Sequence, residues 1–199
     1  MRPLTKLSAA IGEGLVAGFL GTAAMTVSST LEARLRHRAA STAPARATAK
    51  ALGITEFEDD IARARFNDLS HWGYGTGWGV VRGLLGASGL APARATAAHG
   101  AAIWGSAAVT LPALDIAPPF IFWGKQEVAI DLLHHTVYAV ATGVAYEAIA
   151  AGRRNGHAYR SLSGRRSRKA RSSASRVARS AGGSETSCSE PTSRRVSSR

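Results

Sequence analysis

Along the first 150 or so residues, charge-poor stretches alternate with shorter polar or turn-forming stretches. Four of these stretches are expected to be helices, over 9–30, 71–90, 95–114 and 126–151. A hydrocarbon core of about 30 Å is crossed by about 20 helical residues, so each stretch has the length of a span. The pattern predicts an all-α fold, a transmembrane bundle of about four helices in a domain covering 1–152.

The first stretch, AAIGEGLVAGFLGTAAMTVSST, follows Arg2 and Lys6 and so has the outline of a secretory signal. Glu13 at its start and the lack of a convincing cleavage site favour a retained helix. Residues 32–70 form a mixed-charge connection: 44–52 (PARATAKAL) suits a short interfacial helix, and EFEDD at 56–60 reads as a solvated acidic run. Before the fourth stretch, DIAPPFIFWGK is turn-forming, and its Phe122 and Trp123 suit an aromatic belt.

The second stretch, HWGYGTGWGVVRGLLGASGL, carries seven glycines. In water so many glycines would argue against a helix. In a membrane, small residues four apart let helices approach closely. Gly75, Gly79 and Gly83 have that spacing, as do Gly14 and Gly18 in the first stretch, so these five are expected to pack helices together.

Ionisable groups at membrane depth are costly and tend to face the protein interior, which makes them the leading functional candidates. On the fourth helix, Glu127, His134, His135, Tyr138 and Thr142 all fall within about 60° of Asp131, forming one polar stripe. Glu147 lies about 160° away and points elsewhere. On the second helix His71, Tyr74, Trp78 and Arg82 form a comparable stripe. Depths counted from the starts at 71 and 126 bring Arg82 near Asp131, since the Arg82 side chain leans toward its own N-terminus. An Arg82–Asp131 contact is therefore expected, surrounded by His134, His135 and Tyr138, with snorkelling of Arg82 or its pairing with Glu13 as the alternatives. His71 and His99 are expected as interfacial anchors.

Asp131, His134 and His135, at i, i+3 and i+4, with His71 from the second helix, are the residues a divalent metal would use. One His pair is too little for a membrane di-iron centre, and bland hydrogen-bonded packing is the expectation, with no metal and no cofactor. No Ser–His–Asp set, phosphate-binding glycine loop or dinucleotide fingerprint occurs, which favours a non-enzymatic role.

Composition changes one inference. The net charge is +12 over 199 residues, which suggests nucleic acid, yet residues 153–199 carry thirteen basic and two acidic groups, leaving only +1 for the rest. This Ser/Arg-rich tail has no aromatic residue after Tyr159 and is expected to be disordered. Its expected partner is anionic lipid headgroups, at about 1 kcal/mol per basic residue near the surface. Nucleic-acid binding would lack stacking residues. Mean hydropathy is close to zero because the polar tail dilutes an apolar body. The single cysteine, Cys188, excludes an intrachain disulfide.

Basic residues directly after the last span favour a cytoplasmic C-terminus in a bacterial inner membrane. Four spans then put the N-terminus inside as well, and the seven Arg/Lys of residues 32–70 outside, which opposes the rule. An odd span count would remove that conflict.

The succession GEGLVAGFLGTAAMT, HWGYGTGWGVVRGLLG, LDIAPPFIFWG and EVAIDLLHHTVYAVATGVAYE resembles small multi-pass inner-membrane proteins of actinobacterial type and, more distantly, the YagU-like family. The resemblance covers roughly residues 10–150; the long charged connection and the tail depart from it. It implies a multi-pass fold, loosely suggests a link to acid or envelope stress, and supplies no catalytic residues. Three functions are thus expected in descending order: an envelope or acid-responsive membrane protein with a polar cluster, a metal-binding membrane enzyme, and a glycine-mediated assembly module forming homo-oligomers.

Overall fold

A computed structural model describes residues 3–181, with side chains placed from residue 4 to residue 156. Two compact units divide the chain, Met1–Gly152 and Arg153–Arg199. The elements are α1 (Pro3–Leu35), α2 (Ala43–Leu52), α3 (Asp60–Ala87), α4 (Pro92–Ala113), a 3-10 turn (Phe120–Phe122) and α5 (Lys125–Ala181). No strand occurs among the described residues. Four of the five α-helices are long, at 33, 28, 22 and 57 residues. Leu4–Leu35 and Lys125–Gly156 are long and apolar enough to cross a membrane. α3 and α4 have the length, but glycine, histidine and hydroxyl side chains leave them less apolar, so four expected spans become two by composition.

Local chemistry explains the boundaries. The acidic run expected to be merely solvated in fact starts α3: the Asp59 carboxylate accepts from the Ala62 amide at 2.6 Å, and Asp60 follows in the first turn. A negative charge there complements the helix dipole, so α3 begins well ahead of residue 71. Gly53 (φ 69°) closes α2 and Gly89 (φ 86°) turns the chain from α3 into α4, both in left-handed backbone that glycine adopts without strain. Pro92 occupies the first turn of α4, where its missing N–H is not needed.

The segment expected to be disordered from residue 153 is helical in backbone as far as Ala181. Its Ala, Arg and Lys content is compatible with helix, and proline is absent over that stretch. Disorder expected for residues 182–199 lies outside the described residues.

Within the first unit α1 and α3 run antiparallel along a glycine seam. A Cβ on Gly79 would strike the Gly14 carbonyl and lie 2.7 Å from Gly18 Cα. One on Gly83 would strike the Ala10 carbonyl, and one on Gly75 the Thr22 hydroxyl. Thus Gly14, Gly18, Gly75, Gly79 and Gly83 all line contacts inside one chain. α5 runs antiparallel to α1, with Thr142 against Gly21, and parallel to α3. α4 packs on α5 where Thr96 meets Gly143 and Gly100 meets Ala139.

Burial is inverted relative to a protein folded in water. The buried hydrophobic residues are seven alanines with Ile103, Tyr138 and Tyr146, while Glu13, Thr22, Ser70, Arg82, His99, His134 and Thr142 are buried beside them. Val16, Phe19, Val27, Leu31, Leu133, Val140 and Val144 are exposed.

Two glycine replacements separate packing from helix propensity. Gly79→Ala should destabilise the purified protein by about 1–3 kcal/mol, because backbone cannot yield to the new methyl. Gly77→Ala, where a Cβ meets nothing within 4 Å, should be neutral or stabilise by about 0.5–1 kcal/mol. Thermal unfolding in detergent measures both; equal effects would show that the seam is not tight.

Candidate functional site

The buried polar groups form a seam along the inner faces of α1, α3, α4 and α5. At one end Glu32 takes Arg36 at 3.1 Å and also Arg38, and Arg36 reaches across to Glu127 at 2.6 Å. Glu127, and next Glu32, hold the Arg36 guanidinium above its ordinary value. One to two turns inward, His134 Nδ1 is 2.8 Å from Ser28 Oγ, and its Nε2 lies 3.6 Å from Glu32 Oε2. His71 Nε2 is 2.9 Å from Thr26 Oγ1. α1 therefore carries a hydroxyl for each of two histidines.

Midway along the seam, Tyr138 donates to the Gly75 carbonyl at 2.6 Å, and His99 Nε2 donates to the Trp78 carbonyl at 3.0 Å. The His99 and Tyr138 rings lie 5.5 Å apart. Both carbonyls belong to α3, where alternating glycines leave the backbone open to side chains from α4 and α5. At the far end Arg82, wholly buried, donates to Glu147 at 2.8 Å and lies 4.6 Å from the centre of the Tyr146 ring. Arg82 Nε and Nη1, His99 Nδ1, His134 Nε2 and Thr142 Oγ1 are buried with no hydrogen-bond partner among the described residues.

The expected Arg82–Asp131 contact is absent; Arg82 pairs with Glu147 instead. The reason is register. Tyr138 bonds Gly75 and Tyr146 bonds Gly83, each across 63 residues of sequence. The span starts at 71 and 126 implied an offset of only 55. With the observed offset Asp131 is level with residue 68, fourteen residues or roughly 21 Å from the level of Arg82. Asp131 accepts instead from Trp104 Nε1 at 2.9 Å, with His135 Nδ1 at 3.5 Å.

The four metal candidates also part company. His134 and His71 turn to α1, whereas Asp131 meets Trp104 of α4, and His135 Nδ1 is bound to the Asp131 carbonyl at 2.8 Å. Among the described residues no three His, Cys, Asp or Glu side chains converge on a point that would hold a metal. His135 and Glu147 line opposite ends of an open, mainly apolar groove of about 830 Å³ between α4 and α5.

No family model, curated protein or solved structure matches this chain.

Sequence reasoning missed Glu147, His99, Trp104 and Glu32 as seam members. One signal was available: Gly75 and Gly83 are eight apart on α3, and Tyr138 and Tyr146 are eight apart on α5. Matched spacing of that kind marks two faces running in register. The place of His99 near the start of its helix predicts an interfacial anchor, yet it is wholly buried.

The two acidic replacements should rank in an order that tests the register. Glu147→Ala leaves Arg82 buried without its carboxylate and should cost about 2–4 kcal/mol, somewhat discounted because Glu147 is one-third exposed. Asp131→Ala removes a partner of Trp104 and should cost about 1–2 kcal/mol. Unfolding midpoints of the two variants decide, and a larger loss in Asp131→Ala would reinstate the Asp131 pairing.

Proposed function

We propose that this chain is a multi-pass protein of the bacterial inner membrane whose buried polar seam makes it responsive to acid. The observation that carries the membrane part is the inversion of burial. An Arg, two His, two Thr and a Glu are enclosed, while Val27, Val109 and Val144 are exposed at 70%, 71% and 66%. Water would drive those valines inward, and lipid leaves them where they are. With α1 and α5 as the apolar pair, α3 and α4 turn Gly75, Gly79, Gly83 and His99 inward and leave Leu84 and Val109 exposed on their outer faces.

Acid responsiveness rests on His134 and its surroundings. Imidazoles change charge within the physiological range as a class. A charged His134 converts the 3.6 Å approach to Glu32 Oε2 into an ion pair. Glu32 already holds Arg36 and Arg38, and Arg36 also binds Glu127 at the start of α5. A change at His134 is thereby transmitted to the contact between the end of α1 and the start of α5. A role in envelope or acid stress agrees with the resemblance to YagU-like proteins.

The orientation favoured is a cytoplasmic C-terminus, from the thirteen basic residues of 153–199. Residues 32–70 then lie outside, and four of their seven basic side chains, Arg36, Arg38, Lys50 and Arg63, are engaged in ion pairs. Arg36 and Arg38 are held by the largely buried Glu32 carboxylate, whereas Lys50 and Arg63 pair at the surface.

Three measurements test this. The chain should stay with the membrane after carbonate extraction and float with liposomes; recovery in the soluble fraction would end the membrane reading. Cys188, the only cysteine, should resist an impermeant maleimide in intact cells and react after permeabilisation. Reaction in intact cells would reverse the orientation. His134→Ala should abolish any acid-dependent change in the α1–α5 contact, followed by distance between spin labels at the ends of the two helices. A change that persists in that variant, and in the double variant with His135→Ala, removes acid sensing.

A further inference from the structure

Outside the seam, a pocket of about 610 Å³ lies between α2, the connection after it and the first turns of α3. Arg46, Glu56, Phe57, Arg63, Phe66 and Asn67 are among its lining. The Phe57 and Phe66 rings lie 5.1 Å apart at 49°, making an aromatic wall. Arg63 is taken up by Asp60 at 3.0 Å. Arg46 and Glu56 make no ion pair among the described residues, so each wall of the pocket offers an uncompensated charge of opposite sign.

That pairing selects the ligand. A purely anionic group would meet Arg46 but also Glu56. A purely cationic group would meet two guanidiniums. A group carrying phosphate and ammonium together satisfies both, with phosphate on Arg46 and ammonium between Glu56 and the aromatic faces. Depth selects the source. With the observed offset of 63, Lys125, where the apolar part of α5 begins, is level with residue 62, beside the pocket-lining Arg63 and Phe66. The polar layer flanking the hydrocarbon is about 5–7 Å thick on each side. Leu52, Ile61 and Leu69, on the same two helices, are 66%, 61% and 72% exposed and provide apolar surface for acyl chains.

We propose that this pocket binds the headgroup of a zwitterionic phospholipid, with Arg46 on the phosphate and Glu56, Phe57 and Phe66 around the ammonium. The proposal rests on the membrane reading above. The test titrates the full chain in detergent with dihexanoyl-phosphatidylethanolamine and, separately, dihexanoyl-phosphatidylglycerol, following bound lipid by native mass spectrometry. The ethanolamine lipid should bind about tenfold more tightly, and Arg46→Ala should reduce its affinity by about tenfold, with Arg46→Lys retaining most of it. Arg46 is exposed, so its replacement leaves the fold intact. Glu56→Gln should erase the preference between the two lipids. Equal affinity for both lipids, or unchanged binding in Arg46→Ala, overturns the proposal. So does equally effective competition by free phosphoethanolamine, which would make the ligand a soluble one. Flotation separates the two readings: Arg46→Ala protein should still float, whereas failure of the unaltered chain to float removes the membrane reading itself.

Discussion

Where Gly14 and Gly18 of α1 meet Gly79 and Gly83 of α3, no side chain intervenes, and the two helices come into backbone contact. Everything else in the first unit is arranged around that approach. It sets the height of α3 against α1, and α3 in turn offers the Gly75, Trp78 and Gly83 carbonyls to α4 and α5. A methyl group at Gly79 would push the helices apart and move all three acceptors. In a soluble helix so many glycines would be a defect of propensity. Here the lost propensity is offset by close packing and by a backbone that accepts hydrogen bonds from neighbouring side chains.

The interior that results is polar. Such a core is unfavourable in a small protein surrounded by water, because enclosed polar groups need partners and apolar side chains need somewhere dry. In hydrocarbon, the apolar side chains on the outer faces of α1 and α5 would already have their solvent, and the polar groups would have only one another. Arg82 shows the consequence most clearly. It is wholly buried, and its charge is answered by the Glu147 carboxylate and the Tyr146 ring. The seam ends at its opposite extremity in the Glu32, Arg36, Arg38 and Glu127 network, which ties the last turn of α1 to the first turn of α5.

Much of the candidate site was legible residue by residue. The sequence singled out Arg82, His134, Tyr138 and the five glycines through cost of burial and spacing, and all of them are buried. What failed was the partner of Arg82, and it failed for a countable reason. Helix ends inferred from composition misplaced α3 against α5 by eight residues, about 12 Å at the helical rise. At that scale a polar partner is exchanged for another two or three turns away. In the tail, where the absence of an apolar face predicts disorder, the backbone is helical as far as Ala181, over a stretch without proline.

By itself, the sequence determined that the chain is helical, that its basic charge belongs to residues 153–199, and which faces of its helices are small or polar. These are local properties, carried by composition and by the helical period. Only the tertiary structure decided who meets whom: Glu147 for Arg82, Trp104 for Asp131, Ser28 and Glu32 for His134, and the α3 carbonyls for Tyr138 and His99. Periodicity assigns a residue to a face, but the sliding position of one helix along another is invisible to it. That position is set by steric contact between backbones, at the glycines of α1 and α3, and is known only once the helices are packed.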